Sequence, residues 1–103
     1  SIMLNNAVAA HFNYIGDSVL GSSANIGGGA ILANLRFDEK SISVYHKNKK
    51  TDTGMTKFGA IIGDGCKIGA NAVLNPGTVL AENVFVYPLV SVKGTHEKGS
   101  IVK

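Results

Sequence analysis

The residues that could do chemistry are few, and they lie close together near the start of the chain. His11 stands three positions before Tyr14. Asn25 leads into a glycine triplet, Gly27-Gly28-Gly29; Asn34 closes that stretch, and Lys40 follows in a charged segment. Histidine exchanges a proton near neutral pH, a glycine-rich turn lets backbone approach a ligand closely, and a lysine supplies a cation. Two other suggestive features lose their force on spacing. Gly63-Asp64-Gly65 is followed by Gly69, the wrong interval for a dinucleotide-binding loop. Cys66, the single cysteine, falls at a position kept for small packed residues.

A repeat of six defines that position. From Tyr14 the chain reads Tyr-Ile-Gly-Asp-Ser-Val, Leu-Gly-Ser-Ser-Ala-Asn, Ile-Gly-Gly-Gly-Ala-Ile, then Leu-Ala-Asn. A large residue opens each block (Tyr14, Leu20, Ile26, Leu32), and a small one sits four places later (Ser18, Ala24, Ala30). The register extends loosely leftward through Val8 and Ile2, with Asn6 and Phe12 where small residues are expected. It resumes at Ile62, Ile68, Leu74, Leu80, Val86 and Val92, with Cys66, Ala72, Thr78, Val84 and Val90 in the later slots. A period of six is neither helical nor a plain strand alternation, and a fixed short repeat marks a β-solenoid.

If the opener and the residue four places on both point inward, each block is one flat side of a triangular coil. Three blocks close a turn, so the chain is all-β, with about four coils stacked at about 4.8 Å per coil. The boundaries read as repeat 2–34, loop insertion 35–55, repeat 56–93 and a polar tail 94–103. The tail is expected to leave the stack, with Ile101 and Val102 returning to touch it. Within the insertion, Ile42, Val44 and His46 alternate with Ser41, Ser43 and Tyr45, which predicts a strand. Lys47 to Lys50 form a polar turn and Thr51-Asp52-Thr53 a return strand, so the insertion is hairpin-like, and such loops often carry ligands. A solenoid this short has exposed strand edges and a narrow core, which calls for a capping domain or for faces packed on copies of itself.

Composition sets outer bounds. Apolar residues at 45% with 13 Gly suit a globular stack of turns. A net charge of +3 suits a small anionic ligand but lacks the dense basic clustering of a nucleic-acid surface. One cysteine excludes an internal disulfide and favours the cytoplasm. No apolar run reaches membrane-spanning length, and no metal-ligand spacing stands out.

The hexapeptides resemble those of the hexapeptide-repeat acyltransferases, which implies a single-stranded left-handed parallel β-helix; the handedness comes from the resemblance alone. His11-Phe12-Asn13-Tyr14-Ile15-Gly16-Asp17, followed by Asn25-Ile26-Gly27-Gly28 and Ala33-Asn34, resembles the acetyltransferase domain of bifunctional glucosamine-1-phosphate acetyltransferase/N-acetylglucosamine-1-phosphate uridyltransferase. Asn34 to Lys40, Asp52-Thr53-Gly54 and Phe58 to Asp64 are similar to the C-terminal domain of archaeal-type sugar-1-phosphate nucleotidylyltransferases. Leu35, where the first group has Tyr, points to the second.

The resemblance implies acetyl transfer from acetyl-CoA, as co-substrate, to the amine of an amino-sugar 1-phosphate. His11 matches the catalytic base; Tyr14, Asn25 and Lys40 match or suit the sugar-phosphate side; Gly28, Asn34, Ala70 and Pro88 match the acetyl-CoA side, Gly28 through its N–H. It further implies a cytoplasmic homotrimer with sites between subunits, and an N-terminal nucleotidylyltransferase domain that this chain lacks, together with an upstream Arg and Lys that grip the sugar phosphate. Nucleic acid, membrane and metal have no part in it. Plainer readings stand beside these: His11 packed at a coil edge, Tyr14 as a block opener, Asn25 and Gly28 as corner formers, Lys40 as a solvated lysine. For the whole chain the alternative is a non-catalytic trimerisation module of a sugar-1-phosphate nucleotidylyltransferase, and acyl transfer to another acceptor is a third reading.

Overall fold

A block of six becomes a two-residue strand and a four-residue corner. The computed structural model describes residues 1–103, and the chain forms strands and turns without a helix. In order these are β1 (Ile2–Met3), β2 (Val8–Ala9), β3 (Tyr14–Ile15), β4 (Val19–Leu20), β5 (Asn25–Ile26) and β6 (Ile31–Leu32). The hairpin strands β7 (Ser43–His46) and β8 (Lys49–Asp52) follow. Then come β9 (Ile61–Ile62), β10 (Lys67–Ile68), β11 (Val73–Leu74), β12 (Val79–Leu80), β13 (Phe85–Val86), β14 (Ser91–Val92), β15 (Thr95–His96) and β16 (Ile101–Val102).

The fourteen strands outside the hairpin stack in parallel as three faces. Face one holds β1, β4, β9, β12 and β15; face two holds β2, β5, β10, β13 and β16; face three holds β3, β6, β11 and β14. That makes four complete coils and two sides of a fifth, a β-solenoid of the left-handed hexapeptide kind with a hairpin insertion. The second residue of each strand points inward. Leu20, Ile26, Leu32, Ile62, Ile68, Leu74, Leu80, Val86 and Val92 are buried, with Ala24, Ala30, Ala60, Cys66, Ala72 and Val84 between them. Each fully buried aliphatic side chain contributes about 1.5–3 kcal/mol. Cys66 is fully buried, and burial pushes its thiol up from the ordinary value. It packs, as its slot predicts.

The prism has three edges: the first joins faces one and two, the second faces two and three, the third faces three and one. Inward residues keep a six-residue step across the first and second edges in every coil. Every irregularity falls on the third edge. Met3 stacks on Leu20, and Ile15 on Leu32, so the block from Ile15 to Leu20 is one residue short. Tyr14 is therefore not an opener. Ile15 packs against the core and Tyr14 faces out, 51% exposed. Likewise Met3 and Ala9, not Ile2 and Val8, are the inward-facing residues of the first coil, and Ala7 and Asn13, not Asn6 and Phe12, occupy the small slots.

The segment 94–103 does not leave the stack. Thr95 and His96 pair with Val79 and Leu80, and Ile101 and Val102 with Phe85 and Val86. The last crossing of the third edge is two residues short, so the tail falls out of the six-residue count while remaining in the coil. Gly94 and Gly99, at φ 77 and 76, turn its corners.

The insertion also leaves from the third edge. In its hairpin Tyr45 pairs with Lys50 and His46 with Lys49. The turn is only Lys47-Asn48, at φ 49 and 63, the left-handed pair that a two-residue hairpin loop needs. The return strand thus starts at Lys49, earlier than predicted, because exposed lysines join a ladder that buries neither side. Ile42 is fully buried and anchors the loop, bonding through its N–H to Met55 O at 2.9 Å and accepting from Thr53 N at 2.9 Å.

Candidate active site

The second edge brings four of the matched residues into one column. Its corners are residues 10–13, 27–30, 69–72 and 87–90, and the second residue of each is His11, Gly28, Ala70 and Pro88. The third corner residue hangs from the second one coil away: Gly29 N donates to His11 O at 2.9 Å, Asn71 N to Gly28 O at 3.0 Å, and Leu89 N to Ala70 O at 3.1 Å.

The glycine triplet divides by role. A Cβ on Gly27 would stand 2.7 Å from Ile68 O and 2.8 Å from Ala70 N, which backbone cannot yield; Gly29 has φ 75. Both serve the corner. Gly28 has neither constraint, since its nearest neighbour would be His11 Cβ at 3.4 Å. Its N–H, like that of Ala70, has no acceptor within the chain. His11 lies directly over it, exposed, with ring nitrogens that bond to nothing in the chain. It is not packed at a coil edge. Phe12, at φ 59, shares the left-handed turn of the third corner residues Gly29, Asn71 and Leu89, but His11, at φ 65, is the one second corner residue of this edge in that region, a costly conformation that often accompanies a functional constraint.

Tyr14 stands outward on face three and donates through Oη to Asn34 Oδ1 at 3.2 Å. Asn34 lies on the third edge and donates through Nδ2 to Asp17 Oδ2 at 2.7 Å. Asn25 is the outward residue of β5 on face two, between Val8 and Lys67, so it is on a flat side and not at a corner. Tyr14 and Asn25 thus flank the edge that carries His11. Lys40 is apart from them, exposed on the insertion, with its N–H donating to Asp38 Oδ1 at 3.1 Å. That N–H, with Arg36 at 2.6 Å, holds the Asp38 carboxyl below the usual range.

Both clefts of the chain are built by the insertion. The larger, of about 980 Å³, lies against the third edge, with Arg36, Phe37, Tyr45, Lys50, Pro76 and Lys93 among its walls. None of these carried a predicted role, and Phe37 and Lys93, far apart in sequence, line the same cleft. Asp17 was also missed as a contributor, although it belongs to the matched string, because its partner Asn34 is one coil away.

Six-residue coils stacked in parallel as three faces are the architecture of a hexapeptide-repeat domain. Residues 59–94 match the family described as bacterial transferase hexapeptide (six repeats). The chain is 38% identical over 88 residues to a bifunctional sugar-1-phosphate nucleotidylyltransferase/acetyltransferase of Sulfurisphaera tokodaii, covering 85% of this chain and 22% of that protein. It is 38% identical over 102 residues to the bifunctional protein GlmU of Methanococcus aeolicus, covering 99% of this chain and 25% of that protein. The matches fall in the C-terminal region of such relatives, so the chain spans about a quarter of their length or less. Among solved structures, native serine acetyltransferase 1 from Entamoeba histolytica superposes with a TM-score of 0.62 at 15% identity, over 84% of this chain and 29% of that one, a likeness of fold.

Proposed function

We propose that the chain is the acetyl-transfer part of a larger bifunctional enzyme, moving an acetyl group from acetyl-CoA to the amine of an amino-sugar 1-phosphate. The observation that carries this reading is the exposed, unpartnered His11 stacked over Gly28, whose N–H has no acceptor. His11 takes a proton from the acceptor's ammonium group. The freed amine nitrogen bonds to the thioester carbonyl carbon, Gly28 N–H donates to the oxygen as negative charge builds, the carbon–sulfur bond breaks, and a proton passes to the CoA sulfur. One such donor is worth roughly 10²–10³ in rate. Ala70 and Pro88, further along the column, are placed to run beside the CoA arm.

His11 and Asn34 lie on different edges of one prism, so a site using both draws the second edge from one chain and the third edge from another. A cytoplasmic homotrimer supplies three such sites, and the outward Phe12 and Leu89, 98% and 78% exposed on the second edge, suit a face covered by a copy. The nucleotidylyltransferase activity named for the relatives belongs in this reading to the rest of the longer protein. The test is release of CoA thiol from acetyl-CoA and glucosamine 1-phosphate. His11→Ala should lower turnover by about 10²–10⁴-fold; unchanged turnover would remove His11 as the base.

One observation favours a second reading, a non-catalytic trimerisation module. His11, Tyr14, Asn25 and Gly28 line neither cleft of the single chain. A trimer that gives no heat with CoA in calorimetry would support that module and defeat the enzyme.

A further inference from the structure

Asn34 is held between two partners of different chemistry. Its Nδ2 donates to Asp17 Oδ2 at 2.7 Å, and its Oδ1 accepts from Tyr14 Oη at 3.2 Å. An ionised carboxylate only accepts, so Asp17 admits the nitrogen side of the amide and turns Oδ1 toward Tyr14. The single Tyr14 proton is then committed to Asn34, and lone pairs are all the hydroxyl has left to offer. The group is laid over Gly16, where a Cβ would stand 2.6 Å from Asn34 Cγ and 2.7 Å from Tyr14 Cε2. Asp17, at φ 44, reaches this place through the shortened block between Ile15 and Leu20.

We infer that Asp17 is a positioning residue for the acceptor site. By fixing the Asn34 amide it makes the hydroxyl oxygen of Tyr14, a residue 51% exposed, a hydrogen-bond acceptor, one that reads a hydroxyl or ammonium group of the sugar and not a phosphate oxygen. The inference rests on the acetyl-transfer reading and adds to it a residue to which no role was assigned. It also joins Tyr14 to Asn34 by one directed chain of hydrogen bonds, so both belong to the site that this chain's third edge forms with the second edge of a copy.

The test uses Asp17→Ala, the isosteric Asp17→Asn, Tyr14→Phe and the Tyr14→Phe/Asp17→Ala double variant of the full chain. Two readouts are taken: the Asn34 side-chain amide resonances, and KM and kcat with glucosamine 1-phosphate. Asp17→Ala should shift the Asn34 amide proton upfield and speed its exchange. Tyr14→Phe and Asp17→Ala should each raise KM for the sugar about tenfold with kcat little changed. The double variant should be no worse than either single, and Asp17→Asn should fall between wild type and Asp17→Ala. An Asn34 amide indifferent to Asp17→Ala, or a double variant about a hundredfold worse in KM, overturns the inference. If the wild-type chain neither binds nor acetylates glucosamine 1-phosphate, the acetyl-transfer reading fails and the positioning role with it, while the Asn34 resonances still report separately on the hydrogen-bond chain.

Discussion

Two corners of the second coil are built alike and end differently. Leu20-Gly21-Ser22-Ser23-Ala24 turns the first edge and Ile26-Gly27-Gly28-Gly29-Ala30 the second. Each has a buried opener, a glycine pressed against the next coil, and a left-handed third corner residue. The next coil supplies Asp64 beneath the first corner and Ala70 beneath the second. Asp64 Oδ1 takes the Ser22 N–H at 2.7 Å; the Ala70 methyl has nothing to offer Gly28. One side chain separates a closed structural corner from an open donor. A solenoid can therefore keep its core repeat intact and still place chemistry on one edge, because the outward corner positions contribute little to packing.

The comparison breaks most visibly at Ala70. Ala70→Asp should close the Gly28 amide as Asp64 closes Ser22, lowering kcat roughly 10²–10³-fold with the unfolding temperature kept or raised. Ala70→Val, bulk without an acceptor, should retain far more activity in the same assay, and equal losses in the two variants would reduce the effect to crowding. Next in size is the contrast within the glycine triplet. Gly27→Ala meets backbone at 2.7 Å and should cost about 1–3 kcal/mol in denaturant unfolding, whereas Gly28→Ala should cost less than about 1 kcal/mol. Asp64→Ala removes the cap and should cost about 1–2 kcal/mol while leaving turnover unchanged.

The smallest expected effect concerns the insertion. Asp38 is held below its ordinary range by the Lys40 N–H and by Arg36, and Asp52 by the Gly54 N–H and the Ser41 hydroxyl. A carboxyl lowered on folding contributes stability above its unfolded pKa of about 3.9 and loses it as pH falls through the lowered value. Hydrogen exchange at the hairpin amides Val44 and Thr51, a hydrogen-bonded pair of the ladder, should thus show constant protection factors from pH 8 to 5 and fall only in acid.

The repeat, its first four coils and the hairpin are legible in the sequence because a stack obliges every third block to meet the same neighbours. The frame of the first coil is not. Tyr14 and Ile15, Val8 and Ala9, and Ile2 and Met3 are each pairs in which both members are apolar or aromatic, so a one-residue shortening at Gly16-Asp17-Ser18 leaves no mark. The same blindness sends residues 94–103 out of the stack on paper. In the candidate site, His11, Gly28, Ala70 and Pro88 share an edge that follows from the six-residue spacing once the frame is right. Asp17 over Asn34 and Asp64 under Ser22 do not follow from it, since those contacts span 17 and 42 residues and depend on side chains that the repeat leaves free.

The most direct test follows the backbone amides of the ¹⁵N-labelled chain as acetyl-CoA is added. In the free protein Gly28 should exchange with solvent faster than Ser22 relative to their intrinsic rates. On titration Gly28 and Ala70 should move strongly while Ser22 and Asp64 stay still. Shifts centred on Ser22, or confined to the hairpin cleft with Gly28 unmoved, would contradict the assignment of the second edge as the acetyl-transfer site.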